Sequence, residues 1–192
     1  MTASNDRRVA TSSQTVGPFF HFGLATDPLL GQMTGPATVG DRIRLRVRVA
    51  DGAGQPLPDA LVELWQADAG GRYVEHPDHA DPDPGQAFRG WGRLATSASG
   101  ECEFATIRPG ATTAGDGRPQ AAHINLCLFA RGMLRHIFTR LYFADDPMLA
   151  GDPVLALVPE SRRDTLIAHQ ADGVWTFDIR LQGDRETVFF DL

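Results

Sequence analysis

The sequence predicts an all-β chain folded as an antiparallel β-sandwich with one short helix, on three observations. Arg42 to Val49 alternates strictly, with Ile43, Leu45, Val47 and Val49 on one face and four arginines on the other, the period-two pattern of a half-buried strand. Further apolar runs follow at short spacing between Gly- and Pro-bearing turns. Only Pro159 to Ala168 reads as helix, so strands must supply the core.

The elements follow in order. Residues 1–40 read as an N-terminal arm: Ser12 to Thr15 is polar, Gly17-Pro18 breaks the chain, Phe19-Phe20 is aromatic, and Leu29 to Gly40 is Gly-rich loop. Residues 41–192 read as a single β-sandwich domain. After the first strand, Asp51 to Asp59 is a turn cluster, and Leu61 to Trp65 is the next strand. Residues 76–86, rich in Pro and Asp, are loop. Strands are predicted at Phe88–Ala95, Glu101–Thr106, Ala122–Phe129, Arg135–Phe143, Val174–Leu181 and Thr187–Phe190.

Composition bounds the function. The 192 residues are 42% hydrophobic and 22% charged with net charge −6, ordinary for a globular domain. All 18 basic residues are arginine and form no basic block, which argues against nucleic-acid binding. Cys102 and Cys127 sit in separate strand-like runs and read as isolated buried thiols. The N-terminal residues carry no apolar signal region and no run approaches a membrane span, so the expected location is cytoplasmic, away from membranes.

The densest chemical signal is Ala122-His123-Ile124-Asn125. Alternation puts His123 and Asn125 on one strand face. Two histidines at that spacing make a metal clamp, whereas an amide is a poor ligand for ferric or zinc ions. Taken alone, His123 reads first as a satisfied core histidine and second as a ligand. His76, Asp78, His79, Asp81 and Asp83 match no defined metal loop and read first as a solvated loop. Glu63 and Trp65 share a strand face, where Glu63 would meet an internal arginine. Arg131-Gly132 reads as a hairpin tip, its arginine either solvated or aimed at an anion. Tyr73 alone reads as a packed loop tyrosine. Nucleophile elbow, phosphate-binding loop and dinucleotide fingerprint are all missing.

Read together, several motifs identify a family. They are Ser-Gln-Thr-Val-Gly-Pro (13–18), Leu-Val-Glu-Leu-Trp-Gln-Ala-Asp (61–68) with Gly-Gly-Arg-Tyr ending at Tyr73, Thr-Ile-Arg-Pro-Gly (106–110), Ala-His-Ile-Asn (122–125), Leu-Phe-Ala-Arg-Gly (128–132), Thr-Arg-Leu-Tyr-Phe (139–143) and the ending Gly-Asp-Arg-Glu-Thr-Val-Phe-Phe-Asp-Leu. The chain resembles the intradiol ring-cleaving dioxygenases, and among them the α chains of the two-subunit enzymes that act on protocatechuate. The resemblance implies a β-chain partner, protocatechuate and O₂ as substrates, and 3-carboxy-cis,cis-muconate as product in aromatic catabolism. It also implies Fe(III) bound by two tyrosines and two histidines of the β chain, where phenolates stabilise the ferric state and a nearby arginine stabilises anionic intermediates.

Carried over by position, the resemblance places Tyr73 on the first tyrosine ligand, Thr112 on the second, His123 on the first histidine and Asn125 on the second, with Gln120 where the iron-bearing chain has its arginine. This remnant of Tyr73, Thr112, Gln120, His123 and Asn125 implies no metal and no catalytic residue in this chain alone. Thr15, Gly17, Pro18 and Arg131 are implied to help wall the substrate pocket of the β chain. The N-terminal segment lacks the helical periodicity of the single-chain catechol enzymes. One alternative is an iron enzyme with donors recruited from His21, Asp116 or Tyr142; another is a non-catalytic sandwich module that binds carbohydrate. Combining Thr112→Tyr, Asn125→His and Gln120→Arg is expected to confer iron affinity on the isolated fold.

Overall fold

The computed structural model describes residues 9–17, 19–73 and 87–191; the His76–Asp83 loop and Pro18 lie outside them. Ten strands are present among the described residues: β1 (Arg42–Ala50), β2 (Leu61–Gln66), β3 (Trp91–Ala95), β4 (Glu101–Ile107), β5 (Thr112–Thr113), β6 (Pro119–Gln120), β7 (His123–Phe129), β8 (Ile137–Phe143), β9 (Ile167–Ala171) and β10 (Val174–Arg180). Eight of them join in the order β3-β2-β7-β8-β9-β10-β1-β4, and β5 and β6 form a separate ribbon. The ladder β4-β1-β10 packs against the ladder β3-β2-β7-β8, with β9 bridging them at one side.

Burial alternates along β1 as its sequence requires. Leu45, Val47 and Val49 enter the core, while the opposite face is neutralised by acids on neighbouring strands: Arg44 and Arg46 meet Glu103, and Arg48 meets Asp178. Leu45, Val47, Val49, Phe104, Phe177 and Ile179 from one layer and Val62, Leu64, Ile124, Leu126, Leu128, Leu141 and Phe143 from the other form one buried cluster. Each such side chain contributes about 1.5–3 kcal/mol when removed from water. The guanidinium of Arg108, from the Thr-Ile-Arg-Pro-Gly segment, covers this cluster 4.0 Å above the Phe143 ring.

The structure corrects the sequence reading in several details. The sandwich is mixed rather than purely antiparallel, because β1 pairs with β10 and β8 with β9 in parallel. The first pair joins opposite ends of the chain. The second is separated by the long crossover 144–166, so no hairpin turn dictates its direction. The expected helix over Pro159–Ala168 is one turn, α2 (Glu160–Arg163), followed by a 3-10 turn at Asp164–Leu166. Ile167 leaves that helix to pair with Tyr142. A second short helix, α1 (Phe20–Leu24), lies in the arm. Residues 187–190 form no ladder strand; they meet the sheet through Thr187, whose amide donates to the Arg180 carbonyl at 2.9 Å, through the Thr139 hydroxyl, which donates to the Val188 carbonyl at 2.8 Å, and through the isolated bridge of Phe190 to Phe138. Cys102 is buried but Cys127 only half-buried, and both thiols are free. No helix of the described residues is long and apolar enough to cross a membrane.

Candidate functional site on the outer face of the sheet

In β7 the core takes Ile124, Leu126 and Leu128, so His123 and Asn125 face outward from the sandwich. Cross-strand register places Trp65 and Arg140 on either side of Asn125, and Tyr142 beside His123. The segment after β2 folds back over this surface. Asp68 shapes it by accepting hydrogen bonds from the Gly70 and Arg72 amides at 2.8 and 2.9 Å. Gly71 has φ +76°, and a Cβ there would lie 1.9 Å from the carbonyl oxygen of Ala111. Only glycine lets the loop carrying Tyr73 pass so close to the 110–111 segment. Tyr73 then stacks on Trp65 with ring centroids 4.4 Å apart.

The five residues singled out from the sequence come together here. Tyr73 Oη lies 3.2 Å from His123 Nε2, and Asn125 Nδ2 donates to that same hydroxyl at 3.0 Å. Thr112 and Gln120 face each other across β5 and β6, and Thr112 Oγ1 approaches Gln120 Oε1 at 3.5 Å. Arg140, unremarked in the sequence reading, joins the two halves: its Nε donates to Asn125 Oδ1 and its Nη1 to Gln120 Oε1, both at 3.1 Å. The same Nη1 lies 3.5 Å from Tyr142 Oη, which donates to Asp152 Oδ1 at 2.9 Å.

These partners determine the proton positions. His123 Nδ1 lies 2.8 Å from the Ala121 carbonyl oxygen, which can only accept, so Nδ1 carries the proton. Nε2 is therefore the acceptor, and Tyr73 donates its hydroxyl proton to it. Arg140 can only donate, so both amide oxygens turn toward it. A neutral imidazole is enforced further by burial and then by the Arg140 charge, which together lower the His123 pKa to about 4.

That shift gives a pH dependence. The folded pKa lies below the unfolded value of about 6.5, so the unfolded chain binds the proton first as pH falls. Stability from His123 is fully present above about pH 6.5 and is lost as pH falls toward 4, at about 1.4 kcal/mol per pH unit. Urea midpoints between pH 7.5 and 4.5 should fall more steeply for the wild type than for His123→Gln. Parallel slopes would refute the assignment.

Two carboxylates outside the sequence reading hold the start of β7. Asp152, 1% exposed, accepts from the Ala121 amide at 2.9 Å, and Asp146 accepts from the Ala122 amide at 3.0 Å. Both come from the crossover 144–166, whose Leu155, Val158 and Leu166 bury Tyr142 and Ala121 in a second apolar cluster. Of the alternative donors, Asp116 is exposed and paired with Arg118. Tyr142 is committed to Asp152, and burial raises its pKa. The His21 side chain lies outside what is described.

Elsewhere, Glu63 meets Arg93 on β3 with Nε to Oε1 of 2.7 Å. The arm meets the β7–β8 hairpin: the Gly132 amide donates to Thr15 Oγ1 at 2.6 Å, and Arg131, half exposed, approaches Asp59 at 3.9 Å. Gly17 is exposed and accepts from the Phe20 amide at 3.2 Å.

Comparison with known proteins places the chain in a family. A family model described as Dioxygenase matches residues 16–183. The chain is 41% identical over 197 aligned residues to the protocatechuate 3,4-dioxygenase alpha chain of Pseudomonas putida, covering 94% of this chain and 96% of that one. It is 42% identical over 133 residues to the beta chain of Burkholderia cepacia, covering 68% and 56%. Among solved structures, catechol 1,2-dioxygenase from Pseudomonas arvilla superposes with a TM-score of 0.61 at 27% identity, covering 79% of this chain and 55% of that one. A matched domain spanning most of the chain, together with an alpha-chain relative aligned nearly end to end, shows that the chain belongs to the intradiol dioxygenase family.

Proposed function

We propose that this chain is the α subunit of a protocatechuate 3,4-dioxygenase and works with a β chain that holds Fe(III), opening protocatechuate with O₂ between its hydroxyl-bearing carbons. The observation that carries this reading is Asn125, held between the Tyr73 hydroxyl and the Arg140 guanidinium. The residues present do not fit a ferric ion. Tyr73 and His123 spend their donor atoms on each other, Thr112 and Asn125 offer no anionic or imidazole donor, and a cation already reaches the cluster. Among the described residues no other group of three His, Cys, Asp or Glu side chains could take a metal. Two free thiols suit a reducing, cytoplasmic setting. Co-expression with a β chain tests the assignment: separated under mild denaturation, the β chain should retain the iron and this chain none, and stoichiometric iron on this chain would overturn it.

Thr15, Gly17, Pro18 and Arg131 are proposed to wall the β chain's pocket. Support comes from the Thr15–Gly132 hydrogen bond, which brings arm and hairpin tip together beside Arg131. A cation there suits a benzoate carboxylate, and a charged hydrogen bond is worth about 1.5–3 kcal/mol. Arg131→Ala in the αβ enzyme should raise KM for protocatechuate about tenfold, the equivalent of about 1.4 kcal/mol, with kcat little changed. An unchanged KM would remove Arg131 from the pocket.

A further inference from the structure

We infer that Arg140 takes the place of a metal ion in this chain: its guanidinium is the cation around which the site is ordered, and its presence, beyond the loss of ligands, keeps metal out. The inference rests on the α-subunit reading. It starts from strand register, since Arg140 on β8 lies directly across from Asn125 on β7, putting its side chain among the positions that the family resemblance assigns to metal ligands. Nε takes Asn125 Oδ1 and Nη1 takes Gln120 Oε1, each at 3.1 Å. Asn125 then relays the orientation to Tyr73 and His123. A guanidinium offers fixed donors and no lone pair, so a partner set arranged for it presents oxygens to a cation as a metal site does, without coordinating one.

This changes what would rebuild a metal site. Thr112→Tyr with Asn125→His restores the donor types, but Arg140 stays within reach of both and repels a second cation. Gln120→Arg leaves Arg140 in place and only removes one of its acceptors. On this inference Thr112→Tyr, Asn125→His and Gln120→Arg together do not suffice for iron affinity, and Arg140 must leave as well.

The test uses the full chain purified alone and ferric ammonium citrate as probe. Iron per chain, the visible tyrosinate–iron band and far-UV circular dichroism are the readouts. The Thr112→Tyr/Asn125→His variant should stay metal-free with Arg140 retained, and adding Arg140→Gln should raise affinity about 100-fold, at the upper end of outer-shell effects on metal sites. Arg140→Lys, which keeps the charge and loses the fork, should remain metal-free. Equal binding with and without Arg140, or no binding by the Arg140→Gln variant, overturns the inference. If that variant is unfolded without metal, refolding on iron addition is the supporting result and its absence the opposing one. Iron on the unmodified chain would instead overturn the α-subunit reading, so the two failures are distinct.

Discussion

Asp152→Ala is expected to destabilise the chain by about 4 kcal/mol, measured as a shift in urea midpoint with the slope unchanged. The carboxylate is 1% exposed and collects four donors: the Ala121 amide at 2.9 Å, Tyr142 Oη at 2.9 Å, and the Val154 and Leu155 amides at 2.9 and 2.7 Å. Alanine leaves these groups without a partner where water has little access, and each buried donor so stranded costs about 1–3 kcal/mol, less than additively. The graded control is Asp152→Asn. Its Oδ1 can keep Tyr142, Val154 and Leu155, but its NH₂ must face the Ala121 amide, donor against donor. About half the loss should remain. The effect reaches the candidate site because the Ala121 carbonyl orients His123. A loss under 1 kcal/mol for alanine would mean that water replaces the carboxylate and the crossover is not anchored there.

The unequal legibility of this molecule in its sequence has physical causes. β1 declared itself because its neighbours' acids let arginines alternate with core residues without penalty, so the pattern stayed clean. β9 was invisible: Ile167-Ala168-His169-Gln170-Ala171 buries only Ala168 and sits where the two layers join, so it needs no apolar face. Its first two residues, Ile167 and Ala168, fall within the expected helix Pro159–Ala168. Within the site, His123 and Asn125 could be paired by strand alternation alone, and family resemblance supplied Tyr73, Thr112 and Gln120. Arg140, Asp146 and Asp152 escaped because their roles come from cross-strand register and from a crossover folding back over β7. Arg140 lies within Thr-Arg-Leu-Tyr-Phe (139–143) and still carries no signal, since an arginine next to apolar strand residues most often faces water. A buried-side chemistry assembled from three distant segments has no local periodicity to read.

Arg140→Met should cost about 3 kcal/mol, and the cost should fall by roughly half when Asn125→Leu is added. The stem of methionine fills most of the space of the arginine stem, so packing is largely kept and the loss is mainly polar. Removing the guanidinium strips Asn125 Oδ1 and Gln120 Oε1 of their charged donor, and an acceptor left half-buried without a partner is the expensive case. Leucine at 125 removes one such acceptor together with its need, which is why the double variant should recover stability that the single loses. Tyr73 keeps His123 Nε2 as its own acceptor throughout, so the second substitution strands no other donor. A double-mutant cycle by chemical denaturation reads the coupling directly. A coupling of about 1.5 kcal/mol fits a guanidinium that organises the cluster. Independent, additive losses would mean that Arg140 and Asn125 are neighbours without a shared role, and that the polar surface of the sheet is ordered by its loops instead.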